Sequence, residues 1–375
     1  MKDHYEVLIV GGGSGGITAG AWLRNEPEPL TVGIIEPSTK HYYQPLWTLV
    51  GGGVFPKEVT EREEGDFIPP GADWIQDYVE RFDPDNNQVT LRSGKTIGYD
   101  NLIVAAGIQL DWDKIPGLAE SVGKPGTGVC SNYSYETVDS TWECVRNLKG
   151  GRAIFTHPDS SIKCGGAPQK ICYLAEDYWR KNDVRDHIEV VFAKAGGAIF
   201  GVDKYTRALE KVVERKGIET MFHQDLVELK PERREAVFKD VQTGALNTVN
   251  YDMIHVTPKM SAPDFIKQSP LANADGWVDV DQYTLQHNTY PNVWALGDCS
   301  SLPTAKTGAG IRKQAPILVQ NLLAFNAGEA LPKTYNGYTS CPLITGYGSL
   351  ILAEFDYNDE PAETFPFDQS QERYS

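Results

Sequence analysis

Apolar residues in this chain come in short unbroken runs rather than long ones. Val7-Leu8-Ile9-Val10 and Val32-Gly33-Ile34-Ile35 are the first two, and Asn101 to Gly107 carries a third. Comparable runs recur at Gly151 to Thr156, Ile188 to Ala193 and Met253 to Val256. Runs of this length between turn residues read as strands covered on both faces. Between them, apolar positions at helical spacing predict helices over about Thr18 to Leu23, Ala167 to Lys181 and Tyr205 to Lys216. Strand and helix in alternation predict an α/β protein with parallel sheets. Two stretches rich in Pro and Gly, Asp111 to Gly128 and Thr257 to Gly276, read as crossings between two lobes.

The first strand runs directly into Gly11-Gly12-Gly13-Ser14-Gly15-Gly16, and the second ends at Glu36, twenty residues after Gly16. This is the strand, Gly-x-Gly-x-x-Gly turn, helix, strand and acid of a dinucleotide-binding unit. Gly11 permits the tight turn, Gly13 lets the backbone approach a diphosphate and Gly16 allows helix to pack on strand. The diphosphate belongs on the helix N-terminus, near Ser14 and Gly15, and Glu36 is placed to accept ribose hydroxyls. Leu102 to Gly107 ends in Ala-Ala-Gly, and Tyr290 to Asp298 is a strand that delivers Asp298; both forms resemble the later motifs of two-lobed flavoproteins. An Asp in such a place is also a common helix cap. Together the three segments favour FAD over NAD.

The second lobe lacks what a pyridine nucleotide needs. After Ala153-Ile154-Phe155-Thr156 the chain reads His157-Pro158-Asp159-Ser160-Ser161-Ile162-Lys163-Cys164-Gly165-Gly166-Ala167-Pro168, with no second glycine fingerprint. The expected architecture is therefore two Rossmann-like lobes of the FAD/NAD(P)-binding type plus a short C-terminal segment. Residues 1–110 and 286–330 form the first lobe, 111–285 the second, and 331–375 the segment that carries Cys341. Electrons have to enter from something other than NADH, and Cys164 is the obvious entry point. It precedes a predicted helix whose first turn includes Pro168, where a thiolate gains from unpaired N–H groups, and Lys163 adds positive charge.

The chain has 375 residues, 41% of them hydrophobic and 23% charged, enough for two cores of ordinary size. A net charge of −16 argues against nucleic acid and against electrostatic adhesion to anionic lipid. No run approaches the roughly 20 apolar residues of a membrane span, and with a strand expected to start close to Met1 no cleavable targeting segment is visible. The six cysteines, Cys130, Cys144, Cys164, Cys172, Cys299 and Cys341, fit no zinc or Cys-x-x-Cys spacing, so no metal site is expected. Cys144, Cys172 and Cys299 read as packing residues. Cys341, followed by Pro342, reads as a loop residue that only the fold could bring to Cys164.

Four segments carry a family resemblance: His41 to Gly51, Lys163 to Lys170, Gly196 to Val202 and Tyr338 to Tyr347. They resemble those of the sulfide:quinone oxidoreductases, mitochondrial-type branch, over about His4 to Tyr374. The resemblance implies FAD, a redox-active pair made of Cys164 and Cys341, and a ubiquinone-type acceptor. Carried over position by position, cofactor contacts include Ser14, Gly15, Glu36, Gln44, Val79, Asp298 and Lys306, the last as a cation near the flavin. Hydrosulfide is expected to attack an oxidised bridge, which in some states holds an extra sulfur, leaving a persulfide on Cys341 and a thiolate at Cys164. A small acceptor such as sulfite, glutathione or a second sulfide then removes the sulfur, and the electrons pass through the flavin to quinone.

The family implies a peripheral enzyme on a respiratory membrane, either the matrix side of the mitochondrial inner membrane or the bacterial cytoplasmic membrane, and is compatible with a homo-oligomer. Its usual apolar and basic C-terminal tail is missing past the Phe365-Pro366-Phe367-Asp368 region. Bacterial relatives carry a third cysteine near Cys130, which reads here as a bystander. The alternatives are a type II NADH:quinone dehydrogenase and a flavin-bearing signalling protein resembling apoptosis-inducing factor.

Overall fold

In the computed structural model residues 2–374 are described, and two open sheets dominate. The first sheet contains β1 (His4–Val10), β2 (Val32–Ile35), β3 (Asp73–Ile75), β4 (Val79–Asp83), β5 (Gln88–Leu91) and β6 (Thr96–Val104). Their order is β3-β2-β1-β6-β5-β4, with a seventh strand, Val293–Ala295, added beside β6. The central strands are parallel, with Val10 opposite Ile35 on one side and Val104 on the other. Helix α1 (Ser14–Arg24) follows β1, and the short α2 (Trp47–Gly51) lies between β2 and β3. Val7 to Ile9, Ile34 and Leu102 to Val104 are fully buried, as unbroken apolar runs require.

The chain leaves this sheet through β7 (Gln109–Asp111), and a later strand, Lys259–Ser261, pairs with β7 antiparallel. The two Pro- and Gly-rich stretches thus contain one two-stranded ribbon. Between them stands the second sheet, of β8 (Val129–Cys130), β9 (Gly151–His157), β10 (Ile188–Lys194) and two further strands, Glu219–Phe222 and Met253–His255, all parallel. Helices α3 (Val138–Asn147), α4 (Ala167–Lys181) and α5 (Asp203–Lys216) belong with it. Helix α4 has the bounds that the periodicity predicts. A three-stranded antiparallel sheet, residues 224–250, is an addition that the apolar runs did not announce.

The C-terminal region holds the main departure. Cys341 is not in a loop but on β11 (Thr339–Gly346), which pairs antiparallel with β12 (Ser349–Phe355). Pro342 suggested a loop, yet β11 is an edge strand, where a missing N–H costs no ladder bond. The inward face of the hairpin, Cys341, Leu343, Ile351 and Ala353, is buried in the same core as Ile171 and Cys172 of α4. Helix α6 (Gly308–Asn326) packs Ala315, Leu318, Val319 and Leu322 into the core of the first sheet and is capped by Thr307, whose Oγ1 accepts from the Gly310 N–H at 3.1 Å.

Candidate functional site

The glycine turn after β1 is shaped by close backbone approaches. Gly11 has φ +105°, and a Cβ there would strike the Ala105 carbonyl. One at Gly16 would strike the Gly11 carbonyl, so α1 lies directly against the turn. A Cβ at Gly13 would meet nothing within 4 Å, so this side of the turn is open. Gly13 is also the N-cap of α1 and has no side chain to satisfy the first-turn N–H groups of Ser14, Gly15 and Gly16. Such a helix end is suited to an anion. Gly107, φ +71°, likewise has an open side.

Glu36 accepts from the N–H groups of Gly12 and Ser38, each at 2.8 Å. Burial pushes its carboxyl up, those two bonds pull it down, and neighbouring Glu64 pushes it up again. Sequence reasoning passed over Gly12 and Glu64. A Cβ on Gly12 would stand 2.5 Å from Glu64 Oε1 and 2.7 Å from Glu36 Cβ, so glycine is required there too.

The second centre is formed by three elements. Cys164 sits two residues before the α4 N-cap, with φ +56°, and its N–H donates to the Lys306 carbonyl at 2.8 Å. Its Sγ lies 3.8 Å from Cys341 Sγ on β11 and 3.2 Å from Lys170 Nζ. A Cβ on Gly166 would stand 2.5 Å from Cys341 Sγ, so the sulfur reaches the start of α4 only because glycine is there. The Cys341 thiol holds Cys164 far below the ordinary thiol range; burial opposes this, and the Lys170 charge supports it. Cys341 moves the other way for the same reason, its proton kept by the shared hydrogen bond and by burial. The two thiols titrate as a pair, and the Lys170 ammonium 3.2 Å from Cys164 favours negative charge on that sulfur. Lys170 is 7% exposed and burial opposes its charge, but the two sulfurs outweigh burial and hold the ammonium above its ordinary range.

Sequence reasoning chose Lys163 as the local cation, and the side chain that touches Cys164 is Lys170. Lys163 Nζ instead donates to Gln44 Oε1 at 2.7 Å and lies 5.0 Å from the centroid of the Trp47 ring. Burial lowers Lys163 to about 8. Periodicity offered no signal for Lys170, because α4 is buried on every side from Ala167 to Glu176.

Asp298 lies beyond the strand Val293–Ala295; the cap of the next helix is Thr307, so the capping alternative for Asp298 does not hold. Burial pushes its carboxyl up against the pull of Lys306 and Lys163. Lys306 Nζ donates to the carbonyls of Asp298 at 2.6 Å and Ser300 at 3.2 Å, over the Trp277 ring at 3.9 Å. Gln44, Lys163, Cys164, Lys306 and Asp298 are thereby joined through direct contacts. Val79 is 8% exposed at the start of β4, opposite Leu91.

The other cysteines lie elsewhere. Cys130 is buried with Sγ 3.6 Å from the Ile254 carbonyl, Cys172 faces the second core, and Cys299 faces the Val104 carbonyl at 3.4 Å. A surface groove of about 710 Å³ lined by Arg152, His187, Glu189, Arg234 and Asp252 opens at the starts of β9 and β10 and includes none of the residues above. No His/Cys/Asp/Glu group able to hold a metal is present among the described residues.

Comparison with known proteins gives a consistent answer. Residues 5–140 and 188–321 match the family model described as pyridine nucleotide-disulphide oxidoreductase. The mitochondrial sulfide:quinone oxidoreductase of Mus musculus is 48% identical over 373 residues, 99% of this chain and 82% of the mouse protein. That of Dictyostelium discoideum is 49% identical over 377 residues, 100% of this chain and 82% of its own length. Among solved structures, the sulfide:quinone oxidoreductase of Aquifex aeolicus superposes with a TM-score of 0.80 at 21% identity, covering 96% of this chain and 85% of that one. A chain in the Tetrahymena thermophila mitochondrial ATP synthase structure does so with a TM-score of 0.86 at 21% identity, covering 96% and 88%. At that identity the superpositions establish the fold.

Proposed function

From the premise that this chain belongs to the sulfide:quinone oxidoreductases, with the mitochondrial enzymes, we propose that it is a flavin enzyme that oxidises sulfide through Cys164 and Cys341 and reduces a quinone. The carrying observation is the 3.8 Å approach of the two sulfurs, with Lys170 Nζ 3.2 Å from Cys164.

The residues present fit FAD. The turn is open at Gly13, the first-turn N–H groups of α1 suit a diphosphate, and Glu36, at the end of β2 beside Gly12, would take the adenosine ribose. Asp298 and Lys306 border the Cys164 segment, the place for the isoalloxazine end, with Gln44, Val79 and Gly107 as further contacts. When bound, FAD would supply two-electron redox chemistry between the cysteine pair and quinone.

The unequal thiols set the direction of the sulfur chemistry. Hydrosulfide attacks the disulfide that Cys164 and Cys341 form when oxidised. The better leaving group is the sulfur whose thiolate is more stable, and that is Cys164 beside Lys170. The new S–S bond therefore forms on Cys341, the old one breaks, and Cys164 departs as thiolate. A small nucleophile, whether sulfite, glutathione or a second sulfide, takes the terminal sulfur and restores the Cys341 thiol. Re-forming the bridge releases two electrons and the Cys341 proton.

We place the enzyme peripherally on a respiratory membrane. Among the described residues no helix is long and apolar enough to cross one. Tyr43, 53% exposed, with Val54, Phe55 and Val59, gives an apolar edge around α2 beside Gln44, and apolar contact suits a protein of charge −16 better than basic adhesion. The test is an anaerobic titration of the yellow protein. Sulfide should bleach the flavin and a short-chain ubiquinone should restore it; bleaching by NADH alone would overturn the proposal.

A further inference from the structure

Glu64 is the one residue around the glycine turn that the reading above leaves with an unsatisfied charge-bearing atom. It follows the short antiparallel pairing of Lys40–Tyr42 with Glu61–Glu63, and its N–H donates to the Thr39 carbonyl at 2.9 Å. The side chain is 2% exposed. One oxygen, Oε2, contacts His41 Nδ1 at 3.2 Å, and the His41 ring lies on Phe67 with centroids 4.9 Å apart. The other, Oε1, is buried without a hydrogen-bond partner and points over Gly12, where Glu36 also stands. A buried carboxylate oxygen left unpaired loses its hydration with nothing in return, so a partner is required. Gly12 itself cannot supply it, because its N–H is taken by Glu36.

We propose that Glu64, oriented by His41, is a second acceptor for the adenosine ribose: Glu36 takes one vicinal hydroxyl and Glu64 Oε1 the other. This rests on the FAD assignment above. Two carboxylates facing one diol also account for Gly12, since a side chain there would displace both of them. The arrangement selects a nucleoside with both hydroxyls free.

The test separates the two readings. Flavin released from the wild-type holoenzyme by denaturation is identified by chromatography; anything other than FAD overturns the FAD assignment and this inference with it. Retention of FAD on dilution is then compared for wild type and Glu64→Leu, with ADP, 2′-deoxyADP and 3′-deoxyADP as competitors. Glu64→Leu should weaken FAD by about tenfold or more, as loss of a hydrogen bond to a charged group does. Both deoxy analogues should lose affinity against ADP in the wild type, and the penalty for one of them, the one lacking the hydroxyl that Glu64 accepts from, should vanish in the variant. Circular dichroism checks folding, and if Glu64→Leu does not fold, the shape-preserving Glu64→Gln should show a smaller loss in the same direction. Wild-type retention of FAD with unchanged deoxy penalties in the folded variant would overturn the role of Glu64 alone.

Discussion

The turn after β1 and the turn after β9 each follow a parallel strand of an open sheet, and they serve opposite purposes. Both join a buried strand to a helix. After β1 the connection is three glycines long; a side chain would strike the Ala105 carbonyl at Gly11 and the Glu36 and Glu64 side chains at Gly12, and the N-terminus of α1 faces open space at Gly13. After β9 the connection runs from Pro158 to Gly166, and the N-terminus of α4 is filled by two sulfurs and Lys170. A helix start favours negative charge in either case. In one lobe the charge is left for a ligand to bring; in the other the chain supplies it as the Cys164 thiolate. That difference counts against an NADH-linked reading, because the start of α4 is already occupied by groups of this chain.

The comparison can be broken from either side. Cys164→Ser and Cys341→Ser should each cut sulfide-dependent quinone reduction by about a thousandfold or more while flavin stays bound. Steady-state assay with a flavin spectrum checks this, and normal turnover in either variant would sink the cysteine assignment. Reciprocal glycine changes come next. Gly166→Ala should lower turnover by about a hundredfold by moving Cys341 Sγ, with flavin content intact. Gly16→Ala should instead release flavin and leave the Cys164–Cys341 contact able to form a bridge, measured by thiol titration.

Lys170→Met should have a smaller effect. With the ammonium gone, the pH midpoint for alkylation of Cys164 should rise by about one to three units, measured with iodoacetamide on the reduced protein. The sign for stability follows. A depressed Cys164 contributes stability that is present above the ordinary thiol value of about 8.5 and lost as pH falls through its own lower value. A raised Cys341 contributes stability present below that ordinary value and lost as pH rises through its higher one. Urea midpoints of the reduced wild type should therefore peak between the two, and Lys170→Met should narrow the range from the acid side. The smallest effect belongs to Cys130→Ala, Cys144→Ala and Cys299→Ala, which should leave sulfide oxidation intact in the same assay.

Much of this was legible because it is local. The turn from Val7 to Gly16 and the helix from Ala167 to Lys181 are written in neighbouring residues, and the structure shows both. Lys170 was harder: a lysine beside apolar helix residues reads as a snorkelling residue until something anionic is seen beside it. Glu64 lay in an acidic run, Glu61-Arg62-Glu63-Glu64, that reads as solvated surface, yet only Glu64 of the four is buried. Cys341 was misread because proline outweighed the alternating pattern around it, and edge position is a property of the sheet rather than of the strand.

By itself the sequence determined the kind of protein: two strand-and-helix lobes, one glycine cradle, no second cradle, and two cysteines in distinctive surroundings. Those are matters of spacing and side-chain type, which act over a few residues. Tertiary structure alone decided that Cys164 and Cys341, 177 positions apart, stand 3.8 Å from each other, that Lys170 rather than Lys163 faces them, and that Glu64 joins Glu36. Each of these depends on which elements pack together, and packing brings remote residues into contact through burial of apolar faces that carry no record of their partners.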